Sequence, residues 1–202
     1  MQDLKTQKNF WIERYKTSGK DSIATGGTPE QLLKIAKENI TDLFCQRVDH
    51  NSKGCDYGYG YGRLTPFLVE HCTSLIACDL NPRILQDAKV SFAHQPQVTF
   101  MSRNQFFTSK PLNLDWIFTH TVAQHFMDKE FWKTLAMFKK HLKKDGLWLG
   151  VEYMDQKKES NYMNRYTFED YKKGFSCIIV YKKDIKVAPA HPLHTAFILQ
   201  KP

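Results

Sequence analysis

The stretch Gly54-Cys55-Asp56-Tyr57-Gly58-Tyr59-Gly60-Tyr61-Gly62-Arg63 decides how the rest of the chain is read. An acid is followed by three glycines at alternate positions, and an apolar helical pattern begins near Leu64. Glycine lets backbone amides turn sharply and lets a ligand approach without a Cβ in the way. After the first strand of a doubly wound fold, such a loop is where a nucleotide-like cofactor binds. A dinucleotide fingerprint, Gly-x-Gly-x-x-Gly, does not fit, because its third glycine falls on Arg63 or Thr65. The pattern that fits is Asp-x-Gly-x-Gly-x-Gly.

Outward from this loop, short apolar runs alternate with helical patterns. Strands are expected at 53–57, 75–80, 97–102, 114–120 and 146–153, with helices at about 63–72, 82–90, 104–107 and 129–144. Such alternation predicts βαβ units. The runs 176–183 and 194–200 have no long helix between them and read as a closing antiparallel pair; one short helix is expected from Thr167 to Lys173. The expected fold is α/β: a doubly wound, Rossmann-like, mostly parallel seven-stranded sheet with an antiparallel last strand and helices on both faces. Upstream, residues 3–16 form a short amphipathic pattern around Phe10, Trp11 and Tyr15, and Ser18 to Gly27 reads as a loop. Thr28-Pro29-Glu30 then opens a second helix with an N-cap, a proline at the first helical position and an acid in the first turn. The chain is expected to be one domain, with 1–49 a helical cap or lid and 50–202 the cofactor-binding core.

With the glycines, these segments resemble the class I S-adenosylmethionine-dependent methyltransferases over about residues 54–153. The resemblance implies S-adenosyl-L-methionine as cofactor and assigns roles. Asp56, Gly58, Gly60 and Gly62 form the cofactor loop. Asp79, ending Leu75-Ile76-Ala77-Cys78-Asp79, accepts hydrogen bonds from the ribose hydroxyls with Leu80 beside it; its alternative is a helix N-cap before Asn81-Pro82. Asn104 stands where the family usually has an aspartate facing the adenine amino group, and an amide oxygen can accept that bond. Thr119 and Thr121 flank the end of the fourth strand on the cofactor side. Tyr57, Tyr59 and Tyr61 replace small residues and either cover the cofactor or pack.

A sulfonium methyl group leaves by in-line displacement, so such an enzyme chiefly aligns and desolvates the reactants. His125, after the fourth strand in Val122-Ala123-Gln124-His125-Phe126, is the candidate base or substrate-orienting group, or else a structural histidine capping the next helix. His120, Glu152 and Tyr153 are candidate substrate residues; Glu152 alternatively forms a surface ion pair with nearby lysines. Trp11 and Tyr15, in a Trp-x-x-x-Tyr spacing, either line an amine pocket or pack their helix on the sheet. His191-Pro192-Leu193-His194 has ligand-like spacing, but no metal is expected.

Composition narrows the acceptor. The 202 residues carry a net charge of +8, of which residues 129–202 hold +7. A polyanionic partner would fit that excess, yet lysines outnumber arginines 23 to 6, and phosphate or base recognition favours arginine. An Asn-Pro-Pro-Tyr-like signature of adenine methylation is absent after the fourth strand, and no inserted substrate domain separates strands five and six. A small-molecule acceptor is expected; an RNA or protein acceptor, or a non-catalytic binding subunit, are the alternatives. Five cysteines without a Cys-x-x-Cys argue against a disulfide framework or zinc site and for a cytoplasmic location. No apolar run reaches the roughly 18 residues of a membrane span, so no membrane association is expected.

Overall fold

The computed structural model describes residues 4–18, 29–45, 47–126, 128–154, 166–188 and 193–202. Two helices, α1 (Leu4–Ser18) and α2 (Pro29–Phe44), precede a seven-stranded sheet. Its strands are β1 (Lys53–Tyr57), β2 (Ser74–Asp79), β3 (Val98–Ser102), β4 (Leu114–His120), β5 (Leu142–Glu152), β6 (Ile178–Lys186) and β7 (Leu193–Gln200), in spatial order β3-β2-β1-β4-β5-β7-β6. The first five are parallel, and β7 runs antiparallel between β5 and β6. The expected doubly wound sheet with its closing hairpin is therefore present. Chain direction across the sheet reverses between β1 and β4, which opens a crevice at their carboxyl ends.

Both sheet faces are covered. On one lie α2, α3 (Thr65–Val69) and α4 (Pro82–Ser91), closing over Leu75, Trp116 and Phe118. On the other lie α5 (Arg103–Thr108), α6 (Asp128–His141) and α7 (Phe168–Phe175), closing over Cys55, Ile117 and Trp148. Trp148 is fully buried, stacked on Tyr171 at 5.6 Å and edge-on to Phe138 and Phe197. Its Nε1–H donates to Thr119 Oγ1 at 3.1 Å, so the ring is buried without stranding its polar atom.

Three helices differ from the sequence expectation. The one expected at 63–72 shortens to Thr65–Val69, because the glycine loop runs through a turn, Thr65 N–H to Gly62 O, before Pro66 starts the helix. The one expected at 129–144 ends at His141, and β5 begins at Leu142 rather than 146. Leu142 pairs with Leu114; Lys143, Lys144 and Asp145 then bulge outward, Asp145 with φ 61°, before Leu147 meets Trp116. The short helix expected at 104–107 spans Arg103–Thr108, fixed by a reciprocal capping box between Ser102 and Gln105. The loop expected from Ser18 to Gly27 lies, from residue 19, outside the described residues, as do Thr28 and His191.

Candidate active site

A cavity occupies the crevice. Its walls come from the end of β1 (Asp56, Tyr57), the end of β2 and the residue after it (Asp79, Leu80), the end of β4 and the residue after it (His120, Thr121), from the glycine loop, and from Trp11 of α1. It encloses about 170 Å³, against the ~10–15 Å³ that admits one water, so it suits a ligand rather than a single ordered solvent molecule.

The glycine loop is held by the neighbouring strand. Gly58 N–H donates to Cys78 O at 2.7 Å, and Gly58 and Gly60 have φ of 81° and 57°. A Cβ on Gly58 would lie 2.5 Å from Val122, so backbone conformation and space both demand glycine there. Gly60 N–H reaches Asp79 Oδ2 at 3.1 Å, and Asn81 N–H reaches Asp79 Oδ1 at 2.8 Å. Asp79 is not the cap of α4; Asn81 is, its Oδ1 accepting from Arg83 N–H at 3.0 Å. Burial pushes the Asp79 carboxyl up to about 6 although backbone N–H groups at Asn81, Gly60 and Leu80 pull it down. Burial, then the neighbouring Asp79 charge, pushes Asp56 up to about 8.

The three tyrosines of the loop divide. Tyr57 and Tyr59 line the cavity, Tyr57 packing edge-on to Phe106 at 5.1 Å and Tyr59 donating its hydroxyl to Ile84 O at 2.9 Å. Tyr61 turns outward and stacks on Tyr15 at 5.1 Å. Tyr15 also hydrogen-bonds Asp87 and lines a separate recess beside α4, so it stands apart from Trp11, which packs edge-on to His125 at 5.0 Å.

His120, Thr121 and His125 all line the cavity. They ride on a segment braced by the end of β5. Thr121, with φ 57°, donates its N–H to Val151 O at 2.8 Å. Glu152 is fully buried, and its Oε2 accepts the N–H groups of Val122 at 3.0 Å and Gln124 at 3.1 Å. The Gln124 side chain returns the link, its Oε1 accepting Tyr153 N–H at 2.7 Å. The surface ion pair considered for Glu152 is thus excluded by its burial. Burial outweighs these N–H donors and pushes Glu152 up to about 7. Neither Glu152 nor Tyr153 lines the cavity; both support the residues that do.

Thr119 is buried on the far side of β4 from His120 and accepts from Trp148, and Asn104 is exposed; neither lines the cavity, nor does Gly62. Arg103 is the cavity residue at that corner, paired with Glu130 and held over the Phe107 ring at 4.0 Å. Sequence reading missed Arg103, Glu130, Val122 and Gln124. The one available signal was the Ser102-x-x-Gln105 capping box, which fixes where α5 starts and so which of its first residues turns inward.

A family model described as a methyltransferase domain matches residues 55–146. A solved S-adenosylmethionine-dependent methyltransferase from Leishmania major aligns over 100% of this chain and 87% of its own, with TM-score 0.78 and 17% identity. Over residues 55–146 the chain thus carries a methyltransferase domain, and its fold is shared with S-adenosylmethionine-dependent methyltransferases. The N-methyltransferase NodS from Bradyrhizobium japonicum, solved with S-adenosyl-L-homocysteine, aligns over 97% of this chain and 99% of its own, with TM-score 0.73 and 15% identity. A chain from the complex between the Haloferax volcanii Trm112 methyltransferase activator and a methyltransferase aligns over 95% and 97%, with TM-score 0.72 and 14% identity. At such identities the likeness speaks for the fold. No curated protein matches the chain. The cavity residues fit S-adenosylmethionine: a glycine cradle with no room for a Cβ at Gly58, and the buried Asp56 and partly buried Asp79 carboxylates for a cationic, hydroxyl-bearing ligand. Among the described residues no helix is long and apolar enough to cross a membrane.

Proposed function

We propose that this methyltransferase transfers a methyl group to a small-molecule acceptor, that Asp56, Gly58, Gly60, Asp79, Leu80 and Thr121 hold the cofactor, and that α1 and α2 form a lid on a single domain. The observation that carries the acceptor reading is the wall made by Trp11: α1 lays this ring against His125 at the mouth of the crevice, leaving a space of small-molecule size. When bound, S-adenosylmethionine supplies an electrophilic methyl group on a sulfonium. The chain's own residues orient and desolvate. Asp79 accepts from hydroxyl donors at the end of β2, Trp11 excludes water, and His125 orients the acceptor or takes its proton. His120 stays neutral, since burial and the nearby Arg63 and His194 push it down to about 3.

A macromolecular acceptor has weaker support. Of the lysines behind the basic carboxyl-terminal part, Lys143 pairs with Asp115 and Lys140 donates to Ser109 O. These lie by the amino-terminal end of β4, at the opposite end of the strand from His120. A cytoplasmic location accords with five free cysteines. The test is incubation of cell extract with methyl-labelled cofactor, with and without the protein, followed by separation into small molecules, RNA and protein. Protein-dependent label is expected among the small molecules; label confined to RNA or protein refutes the acceptor assignment.

A further inference from the structure

Of the three tyrosines set between the glycines, Tyr57 and Tyr59 are buried, while Tyr61 is half-buried and stands outside the cavity. The loop backbone fixes its place. Before it, Gly60 N–H reaches Asp79 Oδ2 at 3.1 Å; after it, Gly62 N–H donates to Tyr59 O at 2.9 Å. From this loop the Tyr61 ring stacks on Tyr15 of α1, with centroids 5.1 Å and planes 21° apart. Tyr15 also donates its hydroxyl to Asp87 of α4, and the Arg83 guanidinium lies 6.0 Å from its ring. One turn earlier on the same helix, Trp11 lines the cavity and packs edge-on to His125 at 5.0 Å.

A helix of 15 residues is marginal in water by itself, and α1 has no acid in its first turn to steady it. Its placement therefore depends on what it packs against. Residues 11 and 15 lie only about 6 Å apart along the helix axis, so fixing one restrains the other. The Tyr15 contact falls on the cofactor loop, and the Trp11 contact falls on the segment after β4. A stacked aromatic pair at such a distance contributes beyond its buried area. We propose that Tyr61 is a positioning residue: by stacking on Tyr15 it docks α1 on the cofactor loop and so sets Trp11 against His125 at the acceptor wall. The role rests on the cofactor and lid reading above and names the contact that joins the two. Because the ring rides on the loop that cradles the cofactor, a filled loop holds α1 more firmly, and by linkage a docked α1 tightens the cofactor.

The test uses Tyr61→Ala, which removes the ring, and Tyr61→Phe, which keeps it. Amide hydrogen exchange reads α1 with and without S-adenosylhomocysteine. Fluorine NMR of protein carrying fluorotryptophan reads the wall, its Trp11 line assigned by Trp11→Phe. In wild type and in Tyr61→Phe, S-adenosylhomocysteine should slow exchange in α1 by about 3- to 10-fold. In Tyr61→Ala, exchange in α1 should be faster by a similar factor, the response to ligand lost and the Trp11 line shifted, while exchange in β1, β4 and β5 is unchanged. If Tyr61→Ala loosens those strands as well, Tyr15→Ala takes its place with the same outcomes, since it removes the other half of the stack and leaves the loop intact; Tyr15→Phe, which loses only the Asp87 bond, then stays closer to wild type. An α1 in Tyr61→Ala indistinguishable from wild type overturns the proposal. So does a Tyr61→Phe as loose as Tyr61→Ala, a loosened α1 with an unmoved Trp11 line, or a wild-type α1 that bound S-adenosylhomocysteine leaves unprotected. If wild type does not bind S-adenosylhomocysteine, the cofactor reading fails by itself. The comparison of Tyr61→Ala with Tyr61→Phe in the free protein then decides the positioning role, with a looser α1 and a shifted Trp11 line in Tyr61→Ala alone supporting it and their absence overturning it.

Discussion

Replacing Glu152 tests whether the end of β5 positions the cavity wall. Its Oε2 accepts two backbone N–H groups, from Val122 at 3.0 Å and Gln124 at 3.1 Å, in a site with no solvent exposure. Glu152→Ala leaves both donors buried and unpaired. At about 1–3 kcal/mol for each stranded buried group, with partial relaxation of a short loop, the expected loss is about 3–4 kcal/mol. Glu152→Gln keeps a carbonyl oxygen for the same two donors and should lose only about 1 kcal/mol. The variants also differ in pH behaviour. The folded pKa, about 7, lies above the ordinary value of 4.5, so the native state binds the extra proton between these pH values. Stability contributed by protonated Glu152 is therefore full below pH 4.5 and declines as pH rises through 7. Asp56 and Asp79 impose slopes of the same sign, so the informative quantity is the difference between wild type and Glu152→Gln. Urea denaturation at pH 5 and pH 8 measures it. Glu152→Gln should lose less stability than wild type across that interval. The reasoning fails if Glu152→Ala stays within about 0.5 kcal/mol of wild type, the range of an inconsequential surface change. It also fails if the wild-type and Glu152→Gln slopes coincide. A double variant with Gln124→Ala should be less destabilised than the sum of the singles, because both belong to one network.

Asp79→Ala should weaken S-adenosylhomocysteine by about 10- to 100-fold in calorimetry, the worth of one or two hydrogen bonds to a charged acceptor; unchanged affinity would remove Asp79 from the cofactor site. Cofactor binding should fall as pH drops from about 8.5 to 6, because a cationic ligand prefers Asp56 and Asp79 ionised and they titrate near 8 and 6 in the free protein. Binding at pH 7 should accordingly release protons, seen as a binding enthalpy that depends on the buffer's ionisation enthalpy. Gly58→Ala should cost at least about 1–2 kcal/mol from the left-handed backbone alone, with partial recovery on adding Val122→Ala, measured by urea denaturation. His125→Gln should leave S-adenosylhomocysteine affinity intact while lowering turnover; equal turnover would take His125 out of the reaction.

The chemistry-bearing loop and the order of strands were legible because they depend on local rules: glycine where φ is positive, apolar runs where both faces of a strand are covered, caps where helices begin. The errors lie where a side chain's direction depends on packing. Thr119 and His120 are adjacent, but strand alternation sends one to Trp148 and the other to the cavity. Glu152 sits at a strand end and reads as a surface or substrate acid. Only the fold reveals that the chain crossing over it brings two N–H donors to its carboxylate. Trp11 and Tyr15 share a helical face by spacing, yet they diverge, one to His125 and the other to Tyr61 and Asp87. The displacement from Asn104 to Arg103 follows from the capping box, which sets the phase of α5 by one residue.

The strand order has a consequence for biosynthesis. β6 precedes β7 in the chain, but among the described residues its one sheet neighbour is β7. During synthesis β6 therefore emerges before its native partner, and the outer edge of β5 stays open until residues 193–200 emerge to fill the gap. Ile178 and Ile179 are exposed even in the finished sheet, and an unpaired strand carrying them would invite association between nascent chains. Lys182, Lys183 and Lys186, all exposed on the same strand, set like charges on it that oppose such association.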